Sequence, residues 1–308
     1  MNLEELKGKK IGVLMGGLSG EREVSLRTGA AVLQSLLRQG FCASGIDAGR
    51  DLAGKLLQEG IECAFIALHG RYGEDGAVQG LLELMGIPYT GSGVRASSVA
   101  MDKLTTKELL LFHELPTPGY SVFRKGQEME ALIGSRRHYP LVVKPAREGS
   151  TIGISIVRGP EELETGLTEA LKHDDLILIE EFIEGIELTV GVLDGEALPV
   201  IQVVPKGGFY DYHAKYTQGQ TSYLVPAPIE ALMYRKVQDI AAKACFHLGC
   251  RGAARVDFMV RERECFCLEV NSIPGMTPTS LLPKAAAEAG MDFDALCLRI
   301  LAGAGLNK

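Results

Sequence analysis

Lys10-Ile11-Gly12-Val13-Leu14-Met15-Gly16-Gly17-Leu18-Ser19-Gly20-Glu21-Arg22-Glu23-Val24 begins as an apolar run, breaks into glycines and resumes with helical spacing. Leu26, Ala30, Leu33 and Leu37 extend that spacing, so the segment reads as a buried strand, a glycine-rich turn and a helix. The rhythm recurs twice: an apolar run over 41–46 precedes a helix over 52–58, and another over 63–68 precedes a helix over 78–85. Strands alternating with helices form parallel sheets, so the first ~90 residues are expected to be an open α/β unit.

Further along, a helix-rich stretch through Val99, Leu104 and Leu109 ends near Pro116-Thr117-Pro118-Gly119, a natural break between lobes. Strands over 120–123, 141–145, 154–157 and 176–181, with helices over 127–133 and 161–171, then form an α+β pattern. The last third has strands over 186–193 and 198–204, followed by a polar and aromatic stretch over 207–222 without helical or strand period. Loops that long are usually functional or disordered. A helix over 229–248 leads into a strand pair over 253–260 and 265–270.

The 308 residues suffice for two or three lobes, and 46% hydrophobic with 23% charged residues is ordinary globular composition. Thirty-two Lys and Arg against 39 Asp and Glu give a net charge of -7, the wrong sign for binding nucleic acid by counterion release. Glu4 and Glu5 stand where a signal peptide needs basic residues, and no apolar run approaches the ~20 residues that span a bilayer. No nucleic-acid or membrane partner is expected, and the protein is expected to be cytoplasmic. The seven cysteines, at 42, 63, 245, 250, 265, 267 and 297, are expected as free thiols in a reducing compartment. Cys265-Phe266-Cys267 alternates as strand positions do and matches no common zinc spacing.

Four motifs carry chemistry. The Gly16–Glu23 turn brings backbone N–H groups to a helix start but matches neither G-x-G-x-x-G nor a P-loop; its glutamates cap the helix or bind an ammonium group. His69-Gly70-Arg71-Tyr72-Gly73-Glu74-Asp75-Gly76 follows the third strand, where ligands of open α/β sheets collect; a tight turn capped by Asp75 is the plainer alternative. Arg147-Glu148-Gly149-Ser150-Thr151-Ile152-Gly153 joins two apolar strands, a loop able to fold over phosphates while Lys144 meets their charge, unless that lysine merely edges a sheet. Asp257 and Glu269 lie 12 apart on successive strands, so a hairpin can bring both carboxylates together with Asn271 on one face. Hard oxygen donors without His or Cys suit Mg²⁺ carrying phosphates; chance acids on an exposed sheet are the alternative.

Six motifs occur in order between Lys10 and about Leu301: G-G-L-S-G-E-R-E-V-S, H-G-R-Y-G-E-D-G, V-V-K-P-A-R-E-G-S, Y-D-Y-H-A-K-Y, A-R-V-D and L-E-V-N-S-I-P-G-M-T. On these the chain resembles the D-alanine:D-alanine ligases, ATP-grasp enzymes of bacterial peptidoglycan synthesis. The resemblance implies an N-terminal Rossmann-like parallel-sheet lobe at 1–96 followed by a two-lobed ATP-grasp fold. Its central lobe, 97–184, would carry the glycine-rich lid, and its C-terminal lobe, 185–308, the metal and catalytic residues. ATP is implied as co-substrate with two Mg²⁺ or Mn²⁺, D-alanine as substrate, and a homodimer as assembly.

Residue by residue, the resemblance gives Lys103, Lys144 and Lys215 to the phosphates, with Glu148, Ser150 and Thr151 in the lid. Glu180, Glu181 and Ile183 would line the adenine site and Glu187 the ribose; Asp257, Glu269 and Asn271 would hold the metals. Glu23 would bind the first substrate's ammonium, with His69 beside the substrate. Arg255 and the Gly275 N–H would stabilise an oxyanion, and Ser280 and Leu281 would position the second carboxylate. Ser150 and Tyr216 would tie the long loop over the site, Tyr216 pointing to an amine nucleophile because relatives that make D-alanyl-D-lactate carry histidine there. His213 stands where relatives carry an acid, and Thr151 where serine is common. Another ATP-dependent carboxylate–amine ligase, or a non-catalytic ATP-binding protein, are the competing readings; the retained charged residues argue against decay.

Overall fold

The computed structural model describes residues 2–135, 138–149, 151–207 and 219–308. A short helix, α1 (Leu3–Lys7), which no periodicity announced, is capped by Asn2, whose side chain accepts the Glu4 N–H at 3.1 Å. β1 (Ile11–Met15) is the centre of a parallel sheet, flanked by β2 (Ala43–Asp47) and β3 (Cys63–Ile66), with α2 (Arg22–Arg38), α3 (Leu52–Gln58) and α4 (Ala77–Met85) as the crossovers. This is the α/β unit the sequence rhythm implied, with ladders covering only part of the apolar runs over 41–46 and 63–68. Gly29 lets α2 lie close on β1, since a Cβ there would collide with the side chain of Met15.

α5 (Val94–Met101) and α6 (Lys103–Phe112) follow, α6 capped by Asp102, which accepts the Thr105 N–H at 3.0 Å. A second, antiparallel sheet then runs β4-β7-β5-β6, from β4 (Tyr120–Arg124), β5 (Leu141–Pro145), β6 (Ser155–Val157) and β7 (Leu176–Glu181). α7 (Met129–Ser135) and α8 (Pro160–Ala170) fill its connections, and Pro160 opens α8 where no helical N–H partner is needed.

The third sheet runs β11-β10-β8-β12-β13, with β9 pairing off the edge of β8. Its strands are β8 (Ile186–Leu193), β9 (Glu196–Ala197), β10 (Ile201–Pro205), β11 (Thr221–Leu224), β12 (Ala253–Arg261) and β13 (Glu264–Asn271). The strand expected over 198–204 begins later, at Ile201, and the far end of the stretch over 207–222 is strand β11. α9 (Ala231–Leu248) covers one face with Met233, Val237, Ile240, Ala241 and Ala244.

α10 (Leu281–Glu288) and α11 (Phe293–Ala302) return to the first sheet. One core joins Ile11, Val13, Val32 and Leu36 to Leu193, Ile201, Leu282, Ala285, Leu296 and Ile300. At its rim Arg38 grips Asp294, Nη2 to Oδ1 at 2.5 Å. All seven cysteines are free thiols, and burial pushes the Cys267 thiol up to about 12 and Cys63 to about 11, so neither is reactive near neutral pH. Among the described residues no helix is long and apolar enough to cross a membrane.

Candidate active site

Antiparallel pairing sets two rows across the third sheet. Thr189 on β8, Asp257 on β12 and Glu269 on β13 are cross-strand partners in one row, and Arg255 faces Asn271 in the next. Residues i and i+2 of a strand share a face, so Arg255, Asp257, Glu269 and Asn271 converge as their spacing implied. Between Asp257 and Phe258 the register shifts, leaving Leu268 as an extra residue of β13, a bulge beside the carboxylates. Arg255 clasps Asp257 through Nε to Oδ1 at 2.8 Å and Nη2 to Oδ2 at 2.7 Å. The Thr189 hydroxyl donates to Asp257 Oδ1 at 2.6 Å, and the Asn271 amide to Oδ2 at 3.2 Å.

A cavity of about 320 Å³ opens over this face, with Arg255, Glu269, Asn271, Gly275, Ser280 and Leu281 on one wall and Glu21, His69, Glu74 and Gly149 on the other. His69 is buried, its Nε2 3.1 Å from the Thr28 hydroxyl and its Nδ1 3.9 Å from Glu74. Ser280 precedes α10, but its hydroxyl turns to the Thr277 hydroxyl at 2.8 Å instead of capping the helix. Backbone donors at the start of α10 therefore lack a side-chain cap.

Glu23 does not belong to this cavity. It is exposed and absent from the lining, whereas Glu21, the N-cap residue of α2, is on the wall. Glu21 stands in the turn before the first helical residue, and Val24 and Arg27 of α2 line the cavity with it. The Glu21 N–H is held by the Ser19 hydroxyl at 3.1 Å, and that hydroxyl donates to the His69 carbonyl at 2.7 Å. A Cβ on Gly149 would sit 2.8 Å from Glu21 Oε2, so the loop after β5 passes directly against this carboxylate.

Behind the cavity lies a buried charge cluster. Glu180 Oε1 is 2.9 Å from Lys144 Nζ and 3.1 Å from Lys107 Nζ, as ion pairs whose angles are poor for hydrogen bonds. Burial pushes the Glu180 carboxyl up, but the two ammonium groups outweigh it and hold the group below the ordinary carboxylate range. Lys103 donates to the Glu148 carbonyl and lies 3.8 Å from Glu269, which is on the cavity wall. Burial pushes the Glu148 carboxyl itself up. Thr151, at φ +65°, takes a conformation rare for a β-branched residue. Ile183 is buried, Glu187 lies on β8, and Glu181 is exposed and paired with Arg261 at 2.9 Å. Ser150, His213, Lys215 and Tyr216 lie outside the described residues. Lys107 was missed because a lysine in an amphipathic helix reads as solvated.

Asp257, Glu269 and Asn271 offer two carboxylates and an amide oxygen, a hard donor set suited to a divalent cation with phosphates. Two carboxylates alone fall short of a preformed cage, and among the described residues no group of three or more His, Cys, Asp or Glu is placed to hold a metal. That fits a cation carried largely by the phosphates of its substrate.

Residues 109–302 match the family model for the D-ala D-ala ligase C-terminus, and residues 44–92 that for the N-terminus. The D-alanine–D-alanine ligase of Syntrophotalea carbinolica is 64% identical over 308 residues, covering 100% of both chains. That of Geobacter sulfurreducens is 51% identical over 309 residues, covering 100% of this chain and 98% of its own. Among solved structures, the D-alanine–D-alanine ligase of Bacillus anthracis complexed with ATP superposes with a TM-score of 0.83 at 34% identity, over 96% of this chain and 97% of that one. The VanG D-Ala:D-Ser ligase of Enterococcus faecalis gives a TM-score of 0.82 at 30% identity, over 96% and 98%. With both family models matched in order and relatives alike from end to end, the chain belongs to the D-alanine–D-alanine ligase family.

Proposed function

We propose that the protein joins two D-alanines into D-alanyl-D-alanine at the expense of ATP, for peptidoglycan synthesis. The observation that carries this reading is the one cavity in which Glu21 and His69 face Arg255, Glu269, Gly275 and the start of α10. An amino acid has one cationic and one anionic end, and this cavity presents a carboxylate on one wall with a guanidinium and backbone donors on the other.

Glu21, in place of Glu23, takes the ammonium of the first D-alanine. Its carboxylate attacks the γ-phosphate, giving an acyl phosphate and ADP; the amine of the second D-alanine then attacks that carbonyl and expels phosphate. Arg255 and the Gly275 N–H stabilise the oxyanion, a task for fixed donors in a desolvated site. Ser280, Leu281 and the α10 N-terminus receive the second carboxylate. Lys103, Lys144 and Lys215 neutralise phosphates, while Glu180, Glu181, Ile183 and Glu187 contact the nucleoside. Glu148, Ser150, Thr151 and Tyr216 close over the acyl phosphate and keep water from it. Asp257, Glu269 and Asn271 would hold Mg²⁺ or Mn²⁺, which supplies charge neutralisation at the phosphates when bound.

A division into lobes at 96/97 and 184/185 is part of this reading, supported by sheets each built from one contiguous stretch. So are a cytoplasmic location, supported by free buried thiols, and a homodimer carried over from the family resemblance.

The test is phosphate release from Mg-ATP with D-alanine, D-serine, L-alanine or no amino acid, with the product identified by mass spectrometry. Release that depends on D-alanine and yields D-alanyl-D-alanine is the expected result. A D-alanyl-D-serine product in preference would move the second-substrate assignment, and ATP binding without turnover would sink the reading.

A further inference from the structure

Lys107 is a buried charge to which the proposed chemistry gives no task. Its side chain is 0% exposed, and it lies four residues from Lys103, so both lysines leave α6 on one face. Lys103 reaches the lid carbonyl of Glu148 and Glu269; Lys107 reaches Glu180 at 3.1 Å and donates to the Thr117 hydroxyl at 2.5 Å. The Thr117 hydroxyl donates onward to the Cys267 carbonyl at 2.8 Å, two residues before Glu269. One ammonium thus stands between β7, which carries Glu180, and β13, which carries Glu269 and Asn271.

Lysines are almost never fully buried unless paired, and a buried ion pair often stabilises a fold no better than apolar residues of similar volume. Fold stability alone is therefore a weak reason for a charge here. Charge balance supplies a better one. Burial and Lys144 pull the Lys107 ammonium down while Glu180 holds it up; with both lysines charged, the triad Lys107–Glu180–Lys144 carries one net positive charge. Were Lys107 neutral, Glu180 would be matched by Lys144 alone, and Lys144 would be held to it as sole counter-ion with no charge left over.

We infer that Lys107 is a positioning residue for the nucleotide: it balances Glu180 from inside α6 so that Lys144 keeps positive charge for the phosphates. The inference rests on the reading of Lys144 and Glu180 as nucleotide-binding groups. It adds to that reading a residue that touches no substrate, and a physical path from β7 to β13.

The experiment compares Lys107→Met, Lys107→Gln, Glu180→Gln, the double variant Lys107→Met/Glu180→Gln and Lys144→Ala. Calorimetry gives the MgADP affinity, steady-state kinetics give KM for ATP, KM for D-alanine and kcat, and thermal melts report folding. Lys107→Met is expected to weaken MgADP and raise KM for ATP by roughly tenfold, with KM for D-alanine and kcat within about twofold. In the Glu180→Gln background, where no carboxylate charge remains to be balanced, the same change is expected to cost less than about threefold. Lys107→Gln keeps a donor for Thr117 without the charge, and serves if Lys107→Met does not fold. A Lys107 variant that melts lower but binds MgADP as tightly as the parent overturns the inference. If Lys144→Ala also leaves MgADP affinity unchanged, the nucleotide-site reading itself falls; if it weakens binding while the Lys107 variants do not, only Lys107's role falls.

Discussion

Arg255 and Asp257 stand two residues apart on β12 and close a two-bond fork over the cavity, 2.8 and 2.7 Å long. The fork holds a guanidinium, which would otherwise sample many rotamers, against the wall where the oxyanion is proposed to form. Arg255→Ala is expected to lower kcat by about 10²–10³, the effect of removing one oxyanion donor, while MgADP affinity stays close to that of the parent. Kinetics and calorimetry on the same preparation check it, and full activity would refute the assigned role.

Glu21 and Glu23 make a paired test of which carboxylate serves the cavity. Glu21→Gln is expected to raise KM for the first D-alanine by roughly tenfold or more, because an ammonium loses its charged partner. Glu23→Gln, at an exposed position, should stay within about twofold. The reverse pattern in D-alanine titrations would return the role to Glu23.

Asp174 anchors the start of the loop that follows β5. It accepts the Arg147 N–H at 2.9 Å, Arg147 Nε at 3.1 Å and the Leu176 N–H at 3.1 Å, and it also contacts Arg147 Nη2. Burial pushes its carboxyl up, but Arg147 and the backbone donors outweigh that and set the folded value below the ordinary 3.8. The unfolded chain therefore takes up a proton first as the pH falls. The stabilisation is complete above pH 3.8 and is lost as the pH drops through the folded value. Asp174→Asn is expected to cost about 1–3 kcal/mol at pH 7, and less near pH 3, in urea titrations at the two pH values. A cost independent of pH would show that the anchor does not depend on charge.

Gly16 has φ +74°, and a Cβ there would strike Asp47 and approach Arg22 Nη1 at 2.7 Å. The Arg22–Asp47 pair, with contacts of 2.7 and 2.6 Å, crosses directly over this glycine. Gly16→Ala is expected to lose about 1–2 kcal/mol from the left-handed backbone, with the Arg22–Asp47 pair displaced. Chemical denaturation measures the loss, and a change below about 0.5 kcal/mol would show that the turn relaxes freely.

Much of this was legible in the residues. A separation of 12 from Asp257 to Glu269 permits a hairpin, and the ladder makes them cross-strand partners. The apolar-run and helix rhythm before residue 90 is the parallel sheet. Glu21 and Glu23 could not be told apart in the motif, because which of them stands in the turn and which on the helix depends on where α2 begins. Lys107 stayed hidden because its partner, Glu180, lies 73 positions away on β7. The return of α10 and α11 was hidden as well: an apolar helix face shows that it is buried, not which sheet it is buried against.

That return has a consequence for synthesis. Leu36 and Leu296 belong to one core, so the side of α2 that meets α11 waits while about 260 further residues are made, on the order of 10–50 s at ordinary rates of synthesis. During that interval the nascent first sheet presents apolar surface with no permanent cover. Folding of the opening segment is thereby tied to completion of the chain, and a fragment ending before α10 carries a half-built core into solution.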